Sequence, residues 1–276
     1  MSPETTRVGF VGLGSQGGPM ARRIIDAGFP TTLWARRPES LEPFADTAAT
    51  VAPSLRELGA ASDILGVCVV DDAGVDAVLR DPDGALPAMA DGAVVIIHST
   101  VHPRTCLRLQ DDFPALHVID APVSGGGHQA ARGEVLVMAG GPADVVDRCR
   151  PVLETFGDPV LHLGPLGAGQ EAKVLNNTVF AAQLALAAEV FELAAARQLH
   201  PAAMAEVLAR GSGRSYAAEI VAGGGYDLEG LAAFAGELLA KDVGILADHA
   251  ALTDSELLAA ADAALARMHV TRPGTG

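Results

Sequence analysis

Short apolar runs recur through the first 165 positions and then give way to a different pattern. Val8 to Val11, Thr31 to Arg37, Asp63 to Val70, Ala93 to Ile97, Leu116 to Asp120 and Val135 to Met138 each read as a strand bounded by Gly, Pro or acidic residues. Helical stretches lie between them. One follows the glycine loop, has its clearest part from Ala21 to Ala27 and stops at Gly28; another runs from Val75 to Leu79, with Asp71-Asp72 available to cap it. Strands alternating with helices predict a doubly wound, mostly parallel α/β sheet. A last short strand, Val160 to Leu163, runs into Gly164-Pro165, and the boundary between a domain at 1–165 and one at 166–276 is placed there.

Beyond that point the chain is alanine-rich and helical. Its dominant feature is an apolar helix from Ala172 to about Leu199. Val174, Leu175, Val179, Phe180, Leu184, Leu186, Val190, Phe191 and Leu193 fall on more than one face, so the helix is expected to be covered all round. Breaks follow at Arg210 to Tyr216 and Gly223 to Tyr226. A further helix is expected from Phe234 to His249, and the tail from Thr271 to Gly276 is expected to fray.

Composition narrows the function classes. With 276 residues and 49% hydrophobic content, the chain can bury a full core and form two domains. A net charge of -15 argues against nucleic acid and anionic membrane as partners. Three cysteines form no CxxC pair, which points to a reducing, cytoplasmic setting with no disulfide framework and no zinc site. No leader precedes the first strand, and Glu189 and Glu192 interrupt the longest apolar stretch, so no membrane span is expected.

Candidate chemistry gathers in three stretches. Gly12-Leu13-Gly14-Ser15-Gln16-Gly17 follows the first strand and opens a helix, the context in which G-x-G-x-x-G cradles a pyrophosphate at a helix N-terminus. The second strand ends in Arg36-Arg37, where an NAD-selective fold often places an acidic residue. Two guanidinium groups there would attract a 2'-phosphate, which favours NADP(H) over NAD(H); a solvated basic pair, partly offset by Glu39, is the plainer alternative.

The second stretch is Asp120-Ala121-Pro122-Val123-Ser124-Gly125-Gly126. The Ser124 hydroxyl and the uncovered backbone of Gly125 and Gly126 suit a carboxylate, although any Gly-rich turn has the same composition. The third opens the long helix. Lys173 and Asn177, four residues apart, share a face of a largely apolar helix. A buried lysine can move protons near neutral pH, whereas a lysine at a helix end can simply snorkel to solvent. Val70, Ser99, Thr100 and the 120–126 loop lie at carboxyl ends of strands, where such sheets bind ligands. His98 and His102 are poor metal ligands beside Pro103, and no metal site is expected.

Taken together, these motifs resemble the beta-hydroxyacid dehydrogenase family over nearly the whole chain. Gly12-x-Gly14-x-x-Gly17, Asp120 to Gly126, Gly167-x-Gly169-x-x-x-Lys173-x-x-Asn176-Asn177 and Lys241-Asp242 occur in the family's order. The resemblance implies an N-terminal Rossmann domain, an all-helical C-terminal domain and a site in the cleft between them. It also implies a homodimer or homotetramer built on the helix at 172–199. Lys173 is similar to the family's general acid/base, and Asn177 to its partner on the substrate oxygen. Ser124, Gly125 and Gly126 look like the clamp for a small carboxylate-bearing substrate. Gly12 to Gly17, Thr100, Lys241 and Arg36 look like cofactor contacts, with Arg37 beside them; Val70 joins the cofactor-binding candidates by its position at a strand end. The implied reaction is hydride transfer between the nicotinamide and a small 3-hydroxy acid or its semialdehyde or keto acid.

The chain departs from the pattern at Ala35 and Gln16, where the family often has Asn and Met, and at His98 and His128, which read as surface histidines, with an effect on substrate choice as the alternative. Rival readings are an imine reductase or reductive aminase of the same fold, which usually lacks this lysine, and a non-catalytic NADP-binding protein.

Overall fold

The structure is a computed structural model, described here for residues 5–249 and 255–273. The chain separates into two compact units, Met1–Lys173 and Val174–Gly276.

In the first unit, β1 (Val8–Val11), α1 (Gly17–Asp26), β2 (Thr31–Trp34), β3 (Thr50–Val51), α2 (Leu55–Ala60), β4 (Ile64–Val67), α3 (Asp72–Leu79) and β5 (Val94–Ile97) form the first half. The second half comprises α4 (Pro103–Asp112), β6 (His117–Asp120), β7 (Val123–Ser124), α5 (Gly126–Arg132), β8 (Val135–Gly140), α6 (Ala143–Leu153) and β9 (Gly157–Gly164). The nine described strands make one sheet in the order β3-β2-β1-β4-β5-β6-β8-β7, with β9 also paired to β8. Every pairing is parallel except those of β8 with β6 and β7.

Because side chains alternate across a strand, each run feeds two cores. Phe10, Ile64 and Ile96 join Met20, Ile24, Val146 and Phe156 on one face. Val11, Leu65, Val67, Val95 and Ile97 join Leu58, Val75 and Leu109 on the other. Burial on both faces explains why β1, β4 and β5 read as unbroken apolar runs rather than alternating ones. β1 pairs with β2 on one side and β4 on the other. The strand order reverses at that point, which is where an open α/β sheet forms its ligand crevice.

The second unit holds most of α7 (Ala168–Ala196), with α8 (Pro201–Arg210), α9 (Tyr216–Gly223), α10 (Glu229–His249) and α11 (Glu256–Arg267). Ser215 and Ser255 accept hydrogen bonds from the amides of Ala218 and Leu258, capping α9 and α11. The core combines Val174, Leu184, Phe191, Val221, Leu239, Val243 and Leu265 with small Ala181, Ala217, Ala240 and Ala264. By length and composition α7 would suffice to cross a membrane, but its inward residues build this core.

Several boundaries differ from the sequence reading. α1 extends the clearest part of its helix back to Gly17, because tertiary packing overrides the poor helix propensity of glycine. β2 ends at Trp34, so Arg36 and Arg37 stand in the following loop. α7 begins one turn before Ala172, since its first amides find an acceptor outside the helix, as described below. Nor is α7 covered all round. Leu175, Val179, Leu186 and Leu193 are each more than 40% exposed and recur at intervals of four and seven residues, on the face turned away from the core. Of the tail expected to fray, Arg272 is ion-paired to Asp262 at 2.9 Å, and Gly274 to Gly276 lie outside the described residues.

Candidate active site

β1 delivers the glycine loop to the strand-order reversal. The three glycines are there for different reasons. Gly12 has φ of +96°, and a Cβ on it would come within 2.1 Å of the Cys68 carbonyl oxygen. A Cβ on Gly17 would come equally close to the Gly12 carbonyl. These two are required by the protein's own packing. Gly14 is exposed, and a Cβ there would meet no protein atom within 4 Å. Its bare backbone leaves room for a ligand at the start of α1, beside exposed Ser15 and half-buried Leu13 and Gln16. Among the described residues no three His, Cys, Asp or Glu side chains gather as metal ligands.

Around the loop, the parallel strands bring further residues to the same sheet edge. Val70 follows β4 and is 67% exposed. Thr100 follows β5 and is half-buried. Arg36 and Arg37 follow β2, are exposed, and among the described residues are ion-paired to nothing, Glu39 included. The Ser124-Gly125-Gly126 segment also reaches this edge. It opens α5, and a Cβ on Gly127 would fall 2.0 Å from the Ser15 carbonyl oxygen, so α5 packs directly on the glycine loop. Gly125 has φ of +135°, a conformation that side chains disfavour, and Gly126 faces open space. His128 is exposed, as a surface histidine should be. His98 is not. Its ring is buried against Phe10 and Phe156, with Nδ1 2.8 Å from the Ala121 carbonyl oxygen, and burial lowers its pKa to about 4.

Asp120 ties the start of α7 to the end of β6. Its carboxylate accepts the amides of Gly167 and Gln170, each at 2.7 Å, and so caps a helix far away in sequence. Asp120 pairs with Gly140 in the sheet, where any side chain would collide with the carboxylate. Burial raises the Asp120 pKa, against the opposing pull of these amides. Gln170 is also fully buried. Its Oε1 accepts the Val101 amide at 3.0 Å and its Nε2 donates to the Ser99 carbonyl at 2.9 Å, while the Ser99 hydroxyl accepts the Val69 amide at 2.8 Å. Lys173 follows one turn on. It is half-buried rather than buried.

In the second unit, Asn177 donates its side-chain amide to Asp242 at 2.6 Å, and Lys241 pairs with the other oxygen of Asp242 at 2.7 Å. The Asn176 side chain donates to the side-chain Oδ1 of Asn177 at 3.1 Å. Thus contacts within the first unit join the glycine loop to Ser124–Gly126 and the Thr100 segment to Lys173's helix. Asn177 and Lys241 share a buried carboxylate in the second.

Two family models cover this frame. The NAD binding domain of 6-phosphogluconate dehydrogenase matches residues 7–164, and the NAD-binding domain of NADP-dependent 3-hydroxyisobutyrate dehydrogenase matches 167–273. An NAD-dependent L-serine dehydrogenase of Pseudomonas aeruginosa is 32% identical over 87% of this chain and 83% of its own. The chain belongs to the beta-hydroxyacid dehydrogenase family. It is a nicotinamide-dependent oxidoreductase of 3-hydroxyisobutyrate dehydrogenase type. A Mycobacterium tuberculosis 3-hydroxyisobutyrate dehydrogenase with L-serine superposes with a TM-score of 0.83 at 27% identity, over 96% of this chain and 98% of that one. A protein described as Psf3 in complex with NADP+ and 2-OPP gives 0.81 at 28% identity, over 92% and 91%.

The open backbone at Gly14 and the N-terminus of α1 offer donors to a dinucleotide, and the exposed Arg36 and Arg37 follow β2. Sequence reasoning assigned no role to Asp120, Gln170 or Asp242, although each lies inside a recognised motif. Their partners are 47 to 71 residues away, and no local spacing encodes that.

Proposed function

We propose that this dehydrogenase prefers NADP(H) and interconverts a small 3-hydroxy acid with the matching semialdehyde or keto acid. The observation that carries the reading is the placement of Lys173 and Asn177 one turn apart on α7, with the first turn of that helix anchored to the strand ends beside the glycine loop. When bound, the nicotinamide gives or takes the hydride. Lys173 Nζ takes the hydroxyl proton in oxidation and returns one in reduction. Asn177, oriented by Asp242, donates its remaining amide hydrogen to the same substrate oxygen. Ser124 and the bare backbone of Gly125 and Gly126 hold the carboxylate. Arg36 and Arg37 hold the 2'-phosphate, Val70 and Thr100 border the nicotinamide half, and Lys241 is a second cofactor contact. The exposed leucine-rich stripe of α7 is covered by a second copy of the chain in solution.

The test is a rate panel: small 3-hydroxy acids with NADP+ and NAD+, and small semialdehydes and keto acids with NADPH and NADH. The expected result is one acid pair turned over with NADP(H) preferred, and a loss of about a hundredfold or more in Lys173→Ala, which still binds NADPH. Silence on the acids with NADPH bound, or turnover of cyclic imines instead, would overturn it.

A further inference from the structure

We infer that Gln170 is a positioning residue of the reaction, setting the placement of Lys173 relative to the cofactor-side segment at Thr100. This rests on the reading of Lys173 as the acid/base and of Thr100 as a cofactor contact.

Gln170 is fully buried, yet both ends of its amide are used. One end accepts from the Val101 amide, and the other donates to the Ser99 carbonyl. Thr100 is therefore held on both sides by a single side chain. The same Ser99 bonds the Val69 amide through its hydroxyl, which extends the clasp to the residue before Val70. At the other end, the Gln170 backbone amide is held by Asp120, so neither the side chain nor its helix turn can shift independently.

Packing alone does not call for this residue. A leucine or methionine fills similar space without a buried amide, and a buried amide with one unmet partner is costly. What the amide adds is directional. It fixes the 99–101 backbone at hydrogen-bond distance from the helix turn that precedes Lys173, while Asp120 fixes that turn to β6 and to the loop leading to Ser124. Hydride and proton transfer both require such spacing to be held, and a displacement of about 1 Å can cost on the order of a hundredfold in rate.

Gln170→Met removes both side-chain bonds at similar volume, and Gln170→Glu keeps the acceptor for Val101 but loses the donor to Ser99. Both are compared with wild type and Lys173→Ala for kcat, KM, NADPH affinity, the deuterium isotope effect on kcat with 4-deuterated NADPH, and amide exchange of the 99–101 segment without cofactor. Positioning predicts that Gln170→Met lowers kcat by about ten- to a hundredfold. NADPH affinity should change less than about threefold, the isotope effect should rise, and 99–101 should exchange faster, with Gln170→Glu intermediate throughout. Lower thermal stability with kcat per bound NADPH and the isotope effect unchanged would overturn the inference, leaving Gln170 a packing residue. If Gln170→Met does not fold, the same readings on Gln170→Glu decide. An active Lys173→Ala enzyme would instead sink the underlying reading, whatever the Gln170 variants do.

Discussion

Asn177 donates its side-chain amide to Asp242 across 2.6 Å, and Asp242 is only 5% exposed. The orientation of the amide is thus dictated by a buried carboxylate, which accepts from an N–H and would repel a carbonyl oxygen. Replacing Asp242 with Ala releases the amide and removes one ion-pair partner of Lys241. A hydrogen bond to a charged group contributes roughly 1.5–3 kcal/mol, so kcat/KM on the acid substrate is expected to fall by about ten- to a hundredfold. Steady-state kinetics with saturating NADPH checks this; an unchanged kcat/KM would free Asn177 of any need for that partner.

The glycine loop separates folding from binding. Gly14→Ala places a methyl in open space and should leave the melting temperature within about 1–2 °C of wild type while weakening NADPH binding tenfold or more. Gly17→Ala drives a methyl against the Gly12 carbonyl and should lower stability by several degrees before binding is considered. Melting curves with and without NADPH distinguish the two. Equal losses of stability would mean that the space at Gly14 serves the protein itself.

Arg36→Asp should weaken NADPH more than NADH. An aspartate repels a 2'-phosphate and accepts from a ribose hydroxyl, so the ratio of kcat/KM for NADPH over NADH is expected to fall at least tenfold. An unchanged ratio would leave Arg36 a solvated surface residue.

His98 gives the protein an acid-sensitive core. Its folded pKa of about 4 lies below the ordinary 6.5, so the folded state resists a proton that the unfolded chain accepts. The His98 contribution to stability is full above pH 6.5 and is lost as pH falls toward 4, by roughly 3 kcal/mol at the end of that window. His98→Gln, which retains a donor for the Ala121 carbonyl, should flatten the urea-unfolding profile between pH 7 and 4.5. A variant with the same acid slope as wild type would place the sensitivity elsewhere.

The exposed stripe on α7 makes a prediction about assembly. Leu186→Glu sets a charge in the middle of Leu175, Val179 and Leu193 and should convert a multimer to monomer in light scattering. A wild-type chain that is monomeric at micromolar concentration would refute the second copy outright.

Most of the sheet was legible in the sequence, because strands buried on both faces leave unbroken apolar runs at Ile64 to Val67 and Val94 to Ile97. β3 and β7 were not, since two residues carry no period. α4 was hidden behind its opening Pro103, and α6 by the proline at 151 within it. The motif residues Gly12, Ser124 and Lys173 could be named from local spacing. Their supports could not, because Asp120 meets Gly167, and Gln170 meets Val101, only when the chain closes on itself. The burial of His98 escaped for the same reason, and the bare face of α7 because sequence alone does not say which apolar face finds a neighbour.

Helix α7 crosses from one compact unit into the other without a break, with Lys173 the last residue of the first and Asn177 in the opening turn of the second. Their separation, about 6 Å of helical rise, is therefore stored in a single rod of backbone rather than in the docking of two bodies. Hinge motion anywhere else in the molecule leaves this pair at constant spacing. Residues around them can be exchanged without resetting the distance between Lys173 and Asn177.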